Sequence, residues 1–543
     1  MSSKKYKENK ANYKPQKKNL AGKHQPLPSV KTKRKKRKLP VIPPFILLFV
    51  MVWIFCSLIY NNVFYIAEQY DYFAFDKTIM QNILDMNTGI LILIGRFLLL
   101  SFHYPLFGGF VMAVILTLAA WLLDYGFHLK GFARLIVFVF PILYLAWEVF
   151  QGFNLYYQNE PGYIFVYPFV ALFLAFIIAV VVRLKTKRHI QPFWKNTGEE
   201  NPQIKFINML VTMVVFVGLI IFAVPFRDNT QTTVKMQRLM EDNDWDGMID
   251  AALKVKRPSR SVCCYYAIAL SQTDQIGSRM FDIHYQYPNM HIHTRTGEPD
   301  ATTEYYAFDG DFYAGLINTS YHECMEHSVI DGPSILRLKR MYFCSLLNGE
   351  LELGYKYLNL ISKMPFESDF VEKYGPMLYS PSMVKKDPNL AKVAELIPLE
   401  DSFEQWYRTP LFIGYNVMLS SGRSIRALYN SLAACLYNKD LDAFYRRTLP
   451  LRGGILPKSF EEAVVLYGLK DADRIKNFQI SPMTLQTTRS FLSDALNYKG
   501  QDRKNVYYKL CSQYLGYYPF YYYFENIPDE NYFLSKKETS HVN

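Results

Sequence analysis

Six apolar runs in the first half of the chain constrain its fold more than any other feature. They occupy residues 44–60, 89–102, 106–123, 135–150, 163–182 and 207–224. A helix needs about 20 residues to cross a bilayer, with a lower limit near 17. Lipid also requires the backbone polar groups to be bonded within the helix, so these runs predict transmembrane α-helices. We predict an all-α protein, with a polytopic membrane domain at residues 41–226 and an α-helical domain at residues 227–543.

The net charge of +13 is concentrated at the N-terminus. Residues 1–40 contain fifteen Lys or Arg and one Glu, a charge of +14, which leaves about −1 for the remainder. A basic segment directly before a transmembrane helix is typical of a cytoplasmic tail that also contacts anionic lipid. A nuclear-import or nucleic-acid patch is the less favoured alternative. We therefore predict a disordered cytoplasmic tail, with membrane lipid as a partner and no nucleic acid.

The number of crossings depends on residues 89–102, the shortest apolar run. With six crossings, the basic loop at residues 183–205 would lie outside the cell, against the preference of Lys and Arg for the cytoplasm. If residues 89–102 form a re-entrant or interfacial helix, five crossings remain and this loop is cytoplasmic. The C-terminal domain is then outside, in the periplasm. We prefer five crossings plus a re-entrant segment and keep six crossings as the alternative.

Arg96 and Glu148 are ionisable residues at membrane depth in this assignment. Charged groups there are costly and often functional. The two side chains could form an ion pair inside the helix bundle. Alternatively, Glu148 reaches the membrane interface, because it stands near the end of its run.

Three segments of the C-terminal half share one pattern. They are residues 240–253, 345–360 and 435–449. Each has an apolar helix end, a turn at Asn243, Asn348 or Asn438, nearby acidic residues and a second amphipathic helix. Asn tolerates the left-handed conformation at a helix end, and an acidic residue suits the N-terminus of the next helix. The pattern predicts a tetratricopeptide-like helical repeat without a regular period.

The segment YHECMEH, residues 321–327, has a composition that suggests zinc. A zinc-protease helix needs two histidines four residues apart. Here Glu326 stands four residues after His322, and His327 lies about 140° round the helix from His322. We therefore predict an ordinary helix, with no metal and no cofactor, and with His322 and Glu326 flanking a buried stripe. The predicted members of that stripe are Leu316, Ser320, Cys324 and Met325.

Two further segments each have two interpretations. Residues 517–524, YYPFYYYF, either cap the helical repeat or form a surface for the membrane or a partner. Residues 284–300 are rich in His and Tyr, and they form either a ligand-contacting loop or a solvated connector. The seven cysteines have no spacing typical of a disulfide framework.

The order of segments resembles a known family. A membrane block is followed by DWDGMI, GLINTSYHECMEH, SILRLKRMYFCSLLNGELELGYKYLNLISK, SIRALYNSLAACLYNKDLDAFYRR and LPKSFEEAVVLY. Together these are similar to an uncharacterised family of Bacteroidota integral membrane proteins with tetratricopeptide-like C-terminal regions. The resemblance covers most of residues 44–469. It implies the inner membrane of a Gram-negative cell and assigns no catalytic residue.

Two functions from different classes fit these observations. The first is a non-catalytic, membrane-anchored interaction or scaffold protein whose helical repeat binds a protein partner, because such repeats form extended concave surfaces. The second is a polytopic lipid-linked glycosyl or acyl transferase with catalytic candidates Glu68, Asp71 and Asp76 in the first outer loop, EQYDYFAFD. Solvated loop carboxylates are the commoner explanation of these acids. We therefore favour the interaction protein.

Overall fold

All regular secondary structure in the described part of the chain is helical, which confirms the predicted all-α class. The structure is a computed structural model. It describes residues 44–127, 129, 131–152, 160–186, 202–226, 228–285, 301–399, 424–469 and 471–526. Contacts group Ile42–Asn543 into one unit. The predicted basic tail lies outside the described residues.

The N-terminal helices contain the apolar runs. They are α1 (Pro44–Ile54), α2 (Asn61–Gln69), α3 (Lys77–Leu84), α4 (Gly89–Leu99), α5 (Pro105–Phe127), α6 (Leu135–Gln151), α7 (Tyr163–Thr186) and α8 (Pro202–Phe226). A π-helix, Phe55–Ile59, follows α1. One 3-10 helix, Leu100–His103, follows α4, and another, Gly131–Arg134, precedes α6.

Four segments of the described chain are long and apolar enough to cross a membrane, which fits a membrane protein. They are Pro105–Phe127, Gly131–Gln151, Tyr163–Lys185 and Gln203–Phe222. The pair Pro44–Ile59 and Asn61–Gln69 also qualifies together but bends by 66°, so it is a broken span or a re-entrant loop. Gly89–His103 is apolar and shorter than the four. The number of crossings and their orientation stay predictions.

Helices α4 and α7 approach each other closely, and this contact positions Arg96. A Cβ atom at Gly95 would overlap the carbonyl oxygen of Gly162 at the start of α7. Only a residue without a side chain fits there. Arg96, the next residue, consequently reaches Glu160 just before α7.

The predicted C-terminal domain, residues 227–543, is described from α9 onward, and Arg227 is not among the described residues. Its α-helices in the described residues are α9 (Asp228–Glu241), α10 (Trp245–Leu253), α11 (Arg260–Gln272), α12 (Ile276–Arg279), α13 (Ala301–Tyr313), α14 (Ile317–Ile330), α15 (Ile335–Asn348), α16 (Leu351–Ile361), α17 (Ser368–Tyr374), α18 (Pro381–Val384), α19 (Pro388–Ala394), α20 (Ile425–Tyr437), α21 (Leu441–Thr448), α22 (Lys458–Gly468), α23 (Pro482–Leu496), α24 (Arg503–Tyr514) and α25 (Tyr518–Phe524). Short 3-10 helices are Met280–Asp282, Gly375–Leu378, Leu449–Leu451 and Ala472–Asn477.

Helix pairs occupy the three segments that the sequence pattern marks: α9–α10, α15–α16 and α20–α21. Asn243 has a φ of 57°, in the left-handed region, as predicted. In the other two turns the left-handed residue comes one place later, at Gly349 (φ 75°) and Lys439 (φ 59°). Asn348 and Asn438 therefore end their helices without taking the left-handed conformation.

Two of these turns use the acidic residue as a helix cap. Asp244 accepts a hydrogen bond from the N–H of Gly247 at 2.9 Å, and Asp440 accepts one from Ala443 at 2.9 Å. A carboxylate at this position satisfies a backbone donor that the helix leaves unpaired. This explains the acidic residues in the sequence pattern.

The aromatic segment at residues 517–524 packs inside the C-terminal domain. Tyr518 and Tyr521 are buried, and their hydroxyls donate to the carbonyl oxygens of Leu436 (3.3 Å) and Tyr437 (2.6 Å). Of the two interpretations of this segment, the structure shows a packed layer against α20.

The two halves of Ile42–Asn543 share an apolar core. One cluster joins Phe73 and Ile79 with Ile92 on the membrane side, and with Ile335 and Met364 of the C-terminal domain. Helices α3 and α4 therefore pack against the start of α15, and this contact creates the junction in which the candidate site lies.

Candidate functional site

The end of α2 and the segment after it carry the acidic residues that the sequence singles out, and α15 covers this region. The N–H of Ile335 donates to the carbonyl oxygen of Asp71 at 3.2 Å. Glu68 is 0% exposed and Asp71 is 1% exposed. The expectation of solvated loop carboxylates is therefore wrong for both residues, because the C-terminal domain excludes water from this segment.

Arg96 is the centre of a buried ionic cluster. Its Nε and Nη2 atoms donate to the two carboxylate oxygens of Glu160 at 2.6 and 2.7 Å, and Nη1 donates to the carbonyl oxygen of Tyr72 at 2.7 Å. Asp71 Oδ1 lies 3.4 Å from Nε. A bidentate pair of this kind is among the strong hydrogen-bonded arrangements. Glu148 is buried in α6, and the hypothesis of an Arg96–Glu148 pair is wrong, because Glu160 takes that place.

Asp71 is held in a strongly desolvated position. Burial raises the pKa of its carboxyl to about 7, although the neighbouring Arg96 guanidinium acts to lower it. Oδ1 accepts a hydrogen bond from the N–H of Tyr72 at 2.8 Å. Oδ2 is buried and has no hydrogen-bond partner among the described residues. Asp71 therefore helps to neutralise Arg96, but burial of its carboxylate away from water costs free energy.

Glu68 lies beside a histidine and is linked to the C-terminal domain. Its Oε2 accepts a hydrogen bond from Gln69 Nε2 at 2.7 Å and lies 3.7 Å from His103 Nδ1. Oε1 is buried, and the described part of the chain offers it no hydrogen-bond partner. Gln69 Oε1 in turn accepts from Lys339 Nζ of α15 at 3.4 Å. A polar chain thus runs from Glu68 to α15.

Asp76 has the contacts of a structural residue. It is the N-cap of α3, where its Oδ1 accepts from the N–H groups of Thr78 (3.0 Å) and Ile79 (3.2 Å). Its Oδ2 lies 3.0 Å from Lys363 Nζ, and this hydrogen bond lowers the pKa of the Asp76 carboxyl. Helix capping and one ion pair account for this residue without a catalytic role.

A cavity of about 150 Å³ lies next to this junction, and Lys339 belongs to both. Its apolar wall consists mainly of aromatic rings from α13, α15 and α17. The aromatic residues are Phe308, Phe312, Tyr313, Phe343, Phe370 and Tyr374. The polar residues of the wall are Glu241, Asn243, Asp309, Lys339, Arg340, Asp387 and Asn389. An apolar pocket with a few convergent polar groups is the usual form of a ligand site.

The charge of Arg340 is compensated within the cavity wall. Its guanidinium forms an ion pair with Asp309 and lies 4.0 Å from the ring centroid of Phe312 and 5.1 Å from that of Tyr313. The other oxygen of Asp309 accepts from the Tyr265 hydroxyl at 2.8 Å. Asp309 therefore balances the charge of Arg340, although the buried Nε atom of Arg340 has no hydrogen-bond partner among the described residues.

Glu241, the last residue of α9, also lines the cavity. Its Oε2 accepts from the hydroxyl of Tyr65 in α2 at 3.2 Å, and its Oε1 is buried with no hydrogen-bond partner among the described residues. Burial raises the pKa of the carboxyl to about 7, and the positive charge of Lys339 acts in the opposite direction. Lys339 also pairs with Glu367 at 2.8 Å. Glu241 Oε1 thus has unused accepting capacity in the cavity wall.

The sequence profile of DUF6057, a family of unknown function, matches residues 37–194 and 129–525. The chain belongs to this family. The resemblance to an uncharacterised family is thereby confirmed, although the match does not extend to a taxon or a repeat type. No curated protein and no solved structure matches the chain. DUF6057 membership carries no residue roles, so the site has to be interpreted from its geometry.

The YHECMEH segment of this DUF6057 protein lies on α14. Ser320 and Cys324 are buried as predicted, whereas Met325 is partly exposed. The side chains of His322 and Glu326 are 71% and 55% exposed and lie 3.8 Å apart. Within the described ranges, no group of three or more His, Cys, Asp or Glu residues is arranged to hold a metal ion.

Sequence reasoning missed Glu241 and the cavity. Glu241 stands in MEDNDWD, a segment that the sequence pattern assigns only to a helix turn. Its partner Tyr65 is 176 residues away in the chain. No local spacing signals a contact of that range, so only the tertiary structure of the DUF6057 protein brings the two together.

Proposed function

We propose that this protein is a membrane-anchored binding protein whose helical domain holds a protein partner at the aromatic cavity. The observation that carries the proposal is the combination of an aromatic wall with the unsatisfied Oε1 atom of Glu241. The proposal agrees with the function that the sequence favours, and it adds a defined place of contact.

The size of the cavity favours a single side chain as the occupant. A volume of about 150 Å³ resembles that of a cavity that accommodates one benzene molecule. A peptide backbone would not fit there. In protein interfaces, a few side chains buried in such pockets provide most of the binding free energy.

The charges of the wall favour lysine or arginine at that position. Arg340 is paired with Asp309, and Lys339 with Glu367. Among the described residues, Glu241 has no cation of its own within hydrogen-bonding distance. A partner's Lys or Arg would place its apolar stem along the aromatic rings and its cationic group on Glu241.

The surrounding helices support a binding role. The helix pairs α13–α14, α14–α15 and α15–α16 pack in succession, and tetratricopeptide-like repeats that pack in this way form concave binding surfaces. The basic tail and the basic loop at residues 183–205 favour a cytoplasmic N-terminus and a periplasmic helical domain. The resemblance to Bacteroidota membrane proteins supports a location in a Gram-negative inner membrane. We therefore expect a periplasmic protein partner.

The test measures binding of short peptides to the full chain in lipid nanodiscs. Three peptide pools share random flanks and carry Lys, Arg or norleucine at the centre, because norleucine has an apolar stem like that of Lys but no charge. We expect the Lys and Arg pools to bind at least about tenfold more tightly, and Glu241→Gln to abolish the difference. Glu352→Gln, at an exposed acid on α16, is the matched control. Equal binding of the three pools would refute the proposal.

A lipid-linked glycosyl or acyl transferase is the second candidate, and Glu68 favours it. This buried carboxylate has an oxygen without a hydrogen-bond partner in the described structure and lies 3.7 Å from His103. A carboxyl and an imidazole in that arrangement can transfer protons to and from a substrate. Asp71 and Asp76 are already engaged by Arg96 and Lys363.

Complementation of a deletion strain separates the two candidates. The variants are Glu68→Gln, Asp71→Asn, Asp76→Asn, Glu241→Gln and a chain that lacks residues 228–543. The binding function predicts rescue by Glu68→Gln and loss of rescue with Glu241→Gln. The transferase predicts the reverse for these two variants, with normal amounts of protein in the membrane.

A further inference from the structure

Three residues far apart in the sequence form a linear relay in the last part of the described chain. Cys511 lies on α24, His284 follows the 3-10 helix Met280–Asp282, and Glu525 follows α25. Cys511 Sγ lies 3.8 Å from His284 Nε2, and His284 Nδ1 lies 2.9 Å from Glu525 Oε1. The chain separations of 227 and 241 residues show that tertiary folding assembles this relay.

The order of the three groups is that of an activated nucleophile. A thiol contacts one nitrogen of an imidazole, and a carboxylate contacts the other nitrogen. Because the imidazole of His284 lies between Cys511 and Glu525, the three side chains cannot converge on one metal ion. The geometry thus suits transfer of a proton along the relay and does not suit metal binding.

Neighbouring groups fix the orientation of His284. Glu525 is buried, and its Oε2 accepts from the N–H of Tyr285 at 3.3 Å. The Tyr507 hydroxyl lies 2.6 Å from His284 Nδ1 and 3.4 Å from Glu525 Oε1. If Tyr507 and Nδ1 both donate to Glu525, the lone pair of Nε2 faces Cys511. That tautomer is the one a base needs, and the pairing of Nδ1 with the Glu525 carboxylate favours it.

Cys511 differs from the other cysteines of the chain. Cys56, Cys263, Cys264, Cys324, Cys344 and Cys435 are buried, whereas Cys511 is partly exposed. Partial burial raises the pKa of the Cys511 thiol, a hydrogen bond with Tyr507 acts to lower it, and the negative charge of Glu525 acts to raise it. Little thiolate would therefore form at neutral pH unless a base accepts the proton, and His284 is placed to accept it.

We propose that Cys511 is the nucleophile of a second site, with His284 as its base and Glu525 as the group that orients the base, and that it accepts an acyl group from an activated ester or thioester. The site is separate from the aromatic cavity, and its activity goes beyond the proposed binding function. His284 Nε2 takes the thiol proton while Sγ forms a bond to the carbonyl carbon. The bond from that carbon to the leaving oxygen or sulfur then breaks, and the leaving atom takes the proton from Nε2.

The surroundings of Cys511 suit an acyl donor with an apolar chain. Cys511 packs at the edge of an aromatic cluster that includes Phe520 and Phe524. Two cations lie near the relay: Lys439 Nζ donates to the backbone oxygen of Glu525 at 2.5 Å, and Arg503 donates to that of Tyr523. Their positive charge partly offsets the negative charge of Glu525, which acts to raise the pKa of the Cys511 thiol.

The first experiment measures the rate at which iodoacetamide alkylates Cys511 of the full chain in detergent at pH 7, by peptide mass spectrometry. We expect faster alkylation than for glutathione, and a loss of at least about tenfold in His284→Asn. Glu525→Gln should be slowed by a smaller factor. His322→Asn, at an exposed histidine of α14, is the matched control and should leave the rate unchanged.

The second experiment uses p-nitrophenyl acetate and S-phenyl thioacetate as the acyl donors. We expect one acetyl group on Cys511 and release of one nitrophenolate or thiophenolate per chain, with neither in Cys511→Ser. Thermal unfolding of each variant shows whether it is folded, and His284→Gln provides a second substitution if His284→Asn is not. An alkylation rate that equals that of glutathione and does not change in folded His284 variants would overturn the proposal. Fast alkylation without acetylation would overturn the acyl assignment.

Discussion

The imidazole of His103 stacks on the phenyl ring of Phe366, with ring centroids 4.2 Å apart and an interplanar angle of 13°. His103 ends the 3-10 helix after α4, and Phe366 belongs to the turn after α16, so the stack joins the membrane side to the helical domain. Phe366 has a φ of 67°, which is uncommon for a residue with a bulky side chain. Phe366 thus combines the ring contact with His103 and a backbone conformation that is strained for its residue type.

Phe366→Ala should lower the free energy of unfolding by about 1–2 kcal/mol, because the stacked ring is lost while the positive φ remains. Phe366→Asn removes the ring but tolerates the left-handed conformation, so it should lie between the Ala variant and the wild type. Thermal unfolding in one detergent compares them, with the exposed Tyr379→Ala as the control. An Asn variant less stable than the Ala variant would show that backbone strain is unimportant at this position.

Arg96→Gln should be strongly destabilising, by about 3–5 kcal/mol at pH 8, because it leaves Glu160 and Asp71 buried without their cation. The double variant Arg96→Gln/Glu160→Gln should recover part of that loss. At pH 5 the loss should be smaller, since Asp71, whose pKa is already raised to about 7, takes up a proton more readily without Arg96. Lys476→Gln, in an exposed ion pair, is the control. Equal stability of Arg96→Gln and wild type at pH 8 would contradict the ionic cluster.

Glu241→Gln should stabilise the protein at pH 8 and have little effect near pH 4. The pKa of this carboxyl is raised from 4.5 to about 7 in the folded state, so the unfolded chain loses its proton first and stability falls as the pH rises from 4.5 to 7. Gln removes that loss, which at about 1.4 kcal/mol per pH unit amounts to about 1–3 kcal/mol after allowing for partial exposure. Chemical unfolding at the two pH values tests this. A Gln variant less stable at pH 8 would mean that the carboxylate is stabilising.

Reporter fusions test the predicted topology. Alkaline phosphatase fused after Val224 should be active and a fluorescent protein fused there should be dark, because the helical domain is expected in the periplasm. Fusions within residues 183–205 should show the reverse, since that loop is basic. Inactive phosphatase after Val224 would restore six crossings and a cytoplasmic helical domain.

Local patterns in the sequence predict the helix pairs, and they place the left-handed turn residue correctly at Asn243. Apolar runs and their lengths identify the membrane helices, because burial in lipid acts on each segment independently. Asn243 and its acidic neighbour likewise identify a turn, because capping depends on residues only a few positions apart. The prediction is wrong at Asn348 and Asn438, because in these two turns the next residue, Gly349 or Lys439, takes the left-handed conformation.

The burial of Glu68 and Asp71 could not be predicted in this way. Whether a loop carboxylate is solvated depends on what packs over it, and here the cover is α15, more than 250 residues away in the chain. The contacts of the Glu241 carboxyl and of Cys511 also depend on the tertiary structure. Both are assembled from residues whose sequence neighbours give no indication of their partners.

Helix α15 contacts both the cavity and the segment at residues 69–71. Leu336, Lys339, Arg340 and Phe343 recur at helical spacing and line the cavity. The first N–H of the helix and Lys339 are also bonded to the segment at residues 69–71, which follows the apolar helices α1 and α2. Any displacement of that segment by the lipid would therefore move one wall of the cavity. Because linkage is reciprocal, bilayer thickness and occupancy of the cavity should influence each other. We therefore expect ligand affinity measured in thin and in thick bilayers to differ.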